Sequence, residues 1–124
     1  MRFPALPGQH RAALVLGLVA VGAVVGGCGS PTPEITVILT EFTYEPSRIV
    51  IGRNQKTLLK LENKGAEDHA LLVQQINVKS PTVSPGKTVT LEVTAPRGPL
   101  KIVCTIPGHE AAGMVGELAV EARR

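Results

Sequence analysis

The chain has 124 residues, 44% of them hydrophobic and only 2% aromatic, with 13 basic against 10 acidic side chains. That length holds one small domain plus whatever its ends do. Setting aside Arg2 and Arg11, which belong to an N-terminal leader, leaves 11 basic against 10 acidic groups, a net charge of +1 with no basic run outside Arg123-Arg124, and this excludes nucleic acid as a partner.

Residues 1–27 read as an export signal. Arg2 and Arg11 make a positive start, Ala12 to Val25 is an uncharged apolar stretch, and Gly26-Gly27-Cys28 puts small residues at its end. The apolar stretch is shorter than the ~20 residues that a spanning helix needs. Val25-Gly26-Gly27-Cys28 resembles the bacterial lipobox, which implies cleavage before Cys28 and lipid on its sulfur. Cys28 is then unable to pair with Cys104, the only other cysteine. A free thiol is unusual in an oxidising compartment unless a metal occupies it.

Residues 28–34, the lipidated cysteine followed by Gly-Ser-Pro-Thr-Pro-Glu, read as a short stiff tether with two prolines and little to bury. The folded domain is expected over 35–124. Short alternating or β-branched runs predict strands at Ile35 to Thr43, Arg48 to Ile51, Thr57 to Glu62, Ala70 to Val73, Thr88 to Thr94, Leu100 to Cys104 and Val115 to Glu121. Turn residues separate them at Glu45-Pro46-Ser47, Gly52-Arg53-Asn54, Asn63-Lys64-Gly65, Ser84-Pro85-Gly86, Pro96 to Pro99 and Pro107-Gly108. Between Gln74 and Val83 the pattern fits strand or loop. The fold class is all-β, a sandwich built largely on Val, Ile, Leu and Ala.

The chemistry is concentrated between Cys104 and Met114, where a thiol, an imidazole (His109) and a thioether recur at five-residue intervals. Beyond Cys28 the sequence holds one further histidine, His69, at the start of an apolar run. One thiolate, two imidazoles and one thioether form a soft and borderline donor set that selects copper over hard cations. Taken singly, Cys104 reads as an inert buried thiol, Met114 as core filler, His109, beside Pro-Gly, as a loop histidine on the surface, and His69, after Glu67-Asp68, as a solvated or locally paired imidazole. Their conjunction, with no such donor left over, favours the metal.

These residues resemble the cupredoxin superfamily, specifically its small plastocyanin- and azurin-like type 1 copper proteins. The resemblance runs from about Ile35 to Val120. It rests on Cys104, His109 and Met114 with Pro107-Gly108 and Gly113, on Glu41-Phe42-Thr43-Tyr44-Glu45-Pro46, on Leu58 to Leu61, and on Asp68-His69. It implies a Greek-key β-sandwich of about seven to eight strands. It also implies one type 1 copper ion per chain, with His69, Cys104 and His109 in a trigonal plane and Met114 as a long axial contact. The family commonly carries Asn or Asp after the first histidine, where this chain has Ala70. Tuning around the metal must then come from other groups.

The resemblance implies an electron-transfer protein and no enzyme. It would be a monomer, extracytoplasmic and lipid-anchored to the periplasmic or cell-surface face of a bacterial membrane. Its partners would be transient redox proteins, such as a cytochrome or a membrane oxidoreductase. They would meet His109 through an apolar patch of Pro107, Gly108, Ala111, Ala112 and Gly113. A periplasmic copper carrier or storage protein is the alternative, although repeated Met or His clusters are absent. A multicopper redox enzyme needs more histidines than the two that remain.

Overall fold

The computed structural model describes residues 29–123 together with Pro4, Gly26 and Gly27; Cys28 and the rest of the expected leader lie outside the described residues. Among the described residues there are nine strands. They are β1 (Glu34–Thr40), β2 (Thr43–Glu45), β3 (Arg48–Gly52), β4 (Thr57–Asn63), β5 (Leu72–Val73), β6 (Val78–Lys79), β7 (Thr88–Val93), β8 (Leu100–Val103) and β9 (Val115–Glu121). One turn of 3-10 helix, Gln74–Ile76, separates β5 from β6. No helix among the described residues is long and apolar enough to cross a membrane.

The strands form two sheets, ordered β2-β1-β4-β7 and β3-β9-β8-β5-β6. The chain changes sheet between β2 and β3, β3 and β4, β4 and β5, β6 and β7, and β7 and β8. Strands far apart in sequence therefore pair, β1 with β4 and β3 with β9, both in parallel. The fold is the expected all-β sandwich.

The nine strands exceed the expected seven or eight because two short ones were hidden. The run Ile35 to Thr43 breaks after Thr40, where Phe42 takes a φ of 64° and Thr43–Glu45 folds back antiparallel on Ile38 to Thr40. A bulky residue with positive φ is rare, and Glu-Phe carries no turn signal in sequence. The ambiguous stretch after Gln74 resolves into the 3-10 turn, closed by Asn77 in the left-handed region, and the two residues of β6.

Period-two alternation fills the space between the sheets. Thr57, Leu59, Leu61 and Asn63 of β4 point inward, while Leu58, Lys60 and Glu62 do not. Val37, Leu39, Leu91 and Val93 join them from the same sheet, facing Ile49, Ile51, Val73, Leu100, Ile102 and Leu118 of the other. Tyr44, the only tyrosine, is the one aromatic residue in this buried core.

Candidate metal centre

Two arms carry the donors. The first is the connection from β4 to β5. His69 pairs with Val83 through both backbone groups, His69 N–H donating to Val83 O at 3.1 Å and Val83 N–H to His69 O at 2.8 Å. The Asn63 amide, buried at the end of β4, donates to Glu67 O and Val83 O, both at 2.7 Å, and accepts from Gly65 N–H at 2.9 Å. Leu71 N–H donates to Ser80 Oγ at 3.0 Å, and Ser80 N–H returns to Leu71 O at 2.9 Å. The imidazole is thus mounted on a backbone whose polar groups have partners, as a buried segment requires.

The second arm joins β8 to β9, the central pair of their sheet. Cys104 N–H donates to Met114 O at 3.2 Å and Met114 N–H to His109 O at 3.0 Å, so the three expected ligands of this loop are linked through their own backbones. Gly108 and Gly113 turn the loop at φ 84° and 105°, a region that L side chains avoid.

The arms bring His69, Cys104 and His109 together, with one donor atom from each lying within 4.8 Å of the others. Cys104 Sγ is 3.7 Å from His109 Nδ1. The two imidazole centroids are 5.2 Å apart. All three residues are buried, and the thiol is free. Met114 is also fully buried, its backbone held between Cys104 and His109.

Each imidazole turns its Nε2 toward a carboxylate. His109 Nε2 is 3.0 Å from Glu67 Oε2, and His69 Nε2 is 3.5 Å from Glu41 Oε1. For His109 the carboxylate at 3.0 Å favours the tautomer with its proton on Nε2, which leaves the Nδ1 lone pair for a metal, whereas Glu41 faces His69 without forming a hydrogen bond. Glu41 is itself fixed, since Ala66 N–H and Glu67 N–H donate to Oε1 at 2.6 and 3.1 Å and hold its carboxyl below the ordinary carboxylate range. Phe42 packs edge-on against His109 with centroids 5.1 Å apart.

Neither ring nitrogen of His69 has a hydrogen-bond partner, although the residue is wholly buried. Leaving such atoms unpaired costs on the order of 1–3 kcal/mol. A metal bound through one nitrogen removes that nitrogen's share of the cost, and a buried thiolate, which needs a cation beside it, finds one in the same place. Two imidazoles and a thiolate within this distance fit copper.

Three of the four expected donors meet, and the groups around them come from elsewhere in the chain. Glu67, two residues before His69, reaches His109 on the other arm, and Asn63, expected in a turn, ties the first arm together. The apolar rim of Pro107, Gly108, Ala111, Ala112 and Gly113 is exposed as expected, but His109 is only 7% exposed and Glu67 stands at its outer nitrogen. Glu110, the one charge in the loop, is engaged by Lys101 Nζ at 2.8 Å.

The sequence model of the family described as Cupredoxin-like domain matches residues 12–118, the first of which fall in the apolar stretch read as a leader. Among solved structures, the chain is similar to a dithionite-reduced auracyanin from the photosynthetic bacterium Roseiflexus castenholzii, with 21% identity and a TM-score of 0.64 over 75% of this chain and 99% of that one. Auracyanin A, a blue copper protein from Chloroflexus aurantiacus, is 20% identical with a TM-score of 0.60, covering 71% of this chain and 99% of its own. An azurin from Methylomonas sp. strain J is 16% identical, with a TM-score of 0.61, over 73% of this chain and 99% of that one. No curated protein matches the chain in sequence.

Proposed function

The chain belongs to the cupredoxin-like domain family, and from that premise we propose that it is an electron-transfer protein whose one copper ion is held by His69, Cys104 and His109, with Met114 as a weak axial donor. The observation that carries this reading is the buried meeting of a free thiol with two imidazoles, one of them without any hydrogen-bond partner. Copper bound there supplies a one-electron couple. The protein's part is to hold the donors still, so that little rearranges as the charge changes. Backbone bonds within each arm, and strand pairing beneath the second, provide that rigidity.

Metal analysis together with optical and EPR spectra of the soluble domain tests the reading. One copper per chain and an intense visible thiolate-to-copper band are expected. A colourless protein that takes up zinc and not copper would refute it.

The axial role of Met114 has its own signature. Met114→Leu is expected to keep the colour and raise the reduction potential by tens of millivolts, because it removes a donor that favours the oxidised ion; a tenfold change in relative preference is about 59 mV for one electron. An unchanged potential would place Met114 outside the coordination sphere.

The proposed location is extracytoplasmic, with lipid on Cys28 holding the domain at a bacterial membrane. Its support is the Val25 to Cys28 motif after a short apolar stretch. Cys28→Ser is expected to abolish labelling by fatty acid and release the protein from membranes, or leave it unprocessed. Persistent labelling would rule the anchor out.

Redox partners are proposed to dock on the exposed rim around His109. Ala112→Glu is expected to slow exchange with such a partner severalfold while the copper spectrum stays constant, since a charge in an apolar contact must lose water on binding. Equal stopped-flow rates would move the docking site elsewhere.

A further inference from the structure

We propose that Tyr44 is a positioning residue of the metal centre, its phenol bracing the His69 arm across the sandwich. Only the expected effect on the loaded protein rests on the copper reading.

Ala70 follows His69 directly and has no polar side-chain atom, so nothing on that residue can tie the arm to its surroundings. Its carbonyl is instead taken by the Tyr44 hydroxyl, which donates to Ala70 O at 2.7 Å in a buried setting. The partners are 26 residues apart, and Tyr44 arrives from β2, in the sheet opposite β5. The ring lies against β9, where a Cβ on Gly116 would stand 3.5 Å from its Cδ2. Gly116 in turn pairs with Ile102 of β8, two residues before Cys104. One rigid side chain thus touches the strand that closes the second arm and the backbone that carries the first.

The backbone of His69 and Leu71 is bonded to Val83 and Ser80, in the connection between β6 and β7. Asn63 and Glu41 hold the earlier part of the arm, Gly65 to Glu67, and the phenol is the side chain that reaches Ala70. Burial above all pushes the Tyr44 phenol above its ordinary range, so it stays a neutral donor to Ala70 O.

Tyr44→Phe tests the brace, because it keeps the ring packing and removes one oxygen. In the metal-free protein, amide exchange is expected to quicken tenfold or more at His69 and Leu71 while amides of β4 and β7 keep their rates. In the copper-loaded protein the affinity for copper is expected to fall about tenfold, the lower end of the range found when outer supports of metal ligands are removed. Ile51→Val, a buried change in β3, is the comparison and should move neither quantity. Uniformly faster exchange, or exchange at the wild-type rate, would overturn the bracing role. Wild-type copper affinity in Tyr44→Phe would show that the brace does not reach the ligand. Failure of the wild-type protein to bind copper would refute the copper reading, and the metal-free exchange result would still decide the bracing role.

Discussion

Replacing Cys104 with serine is expected to abolish the intense visible band entirely while leaving the sandwich folded. Cys104 is the one sulfur among the three grouped donors and lies 3.7 Å from His109 Nδ1. A serine hydroxyl has nearly the same shape but is hard, and it does not give up its proton to hold copper as a thiol does. The covalent thiolate bond disappears with the sulfur, and any copper still held by the imidazoles should give an ordinary, weakly coloured EPR-active centre. The metal-free variant should lose only about 1–3 kcal/mol, the cost of placing a hydroxyl in a buried site without a designed partner. Far-ultraviolet circular dichroism and the visible spectrum, recorded on one sample, check both statements. Retention of the band would mean that another group supplies the charge transfer.

A loss of stability is expected from Asn63→Ala, at a residue that touches no proposed ligand through its side chain. Its amide makes three hydrogen bonds, to Glu67 O, Val83 O and Gly65 N–H. Val83 O keeps a second donor in His69 N–H, but Glu67 O and Gly65 N–H lose their side-chain partner in the truncated protein. Both bonds are only part-buried, so each costs about 0.5–1.5 kcal/mol and the total is roughly 1–3 kcal/mol. For a domain of this size that lowers the melting temperature by roughly 5–20 °C. Because the freed segment leads into His69, copper affinity should fall by about 10-fold to 100-fold, the range found when outer supports of metal ligands are removed. Thr90→Ala, on the exposed face of β7, should stay within about 0.5 kcal/mol. Thermal unfolding of the metal-free protein and competition with a chelator measure the two effects. A shift no larger than that of Thr90→Ala would show that the loop holds itself without the amide.

What could be read from sequence divides along the range of the interactions. Cys104, His109 and Met114 are close in the chain, so their spacing alone announced a ligand loop, and His69 followed as the one remaining donor. The strands were legible where side chains alternate over several residues, as in β4 and β7. β2 was hidden because the reversal at Phe42 uses a backbone conformation that its sequence does not advertise. The supports were illegible for a different reason. Glu41 reaches the His69 arm over 25 and 26 residues, Glu67 reaches His109, and Tyr44 reaches Ala70, and each meeting depends on how the strands pair. Ala70 did signal that its own position offers no side-chain tie, but not which distant group would supply one. The same limit applied to the loop surface, where composition pointed to a nearly neutral rim and folding added Glu67 from elsewhere.

The placement of β9 also orders events in time. It lies between β3 and β8, and its parallel register with β3 joins residues such as Arg48 and Glu117, 69 positions apart. Contacts of that span form late, because the chain must close a long loop before they contribute anything. The Cys104 to Met114 segment is the link between β8 and β9, so its donors meet His69 in their final geometry only when β9 has docked. A chain in which β9 has not docked therefore has a thiol and two imidazoles but no assembled site for them. Metal capture becomes the closing event of maturation, and any shortening of the chain within β9 removes the centre while leaving every proposed ligand in the sequence.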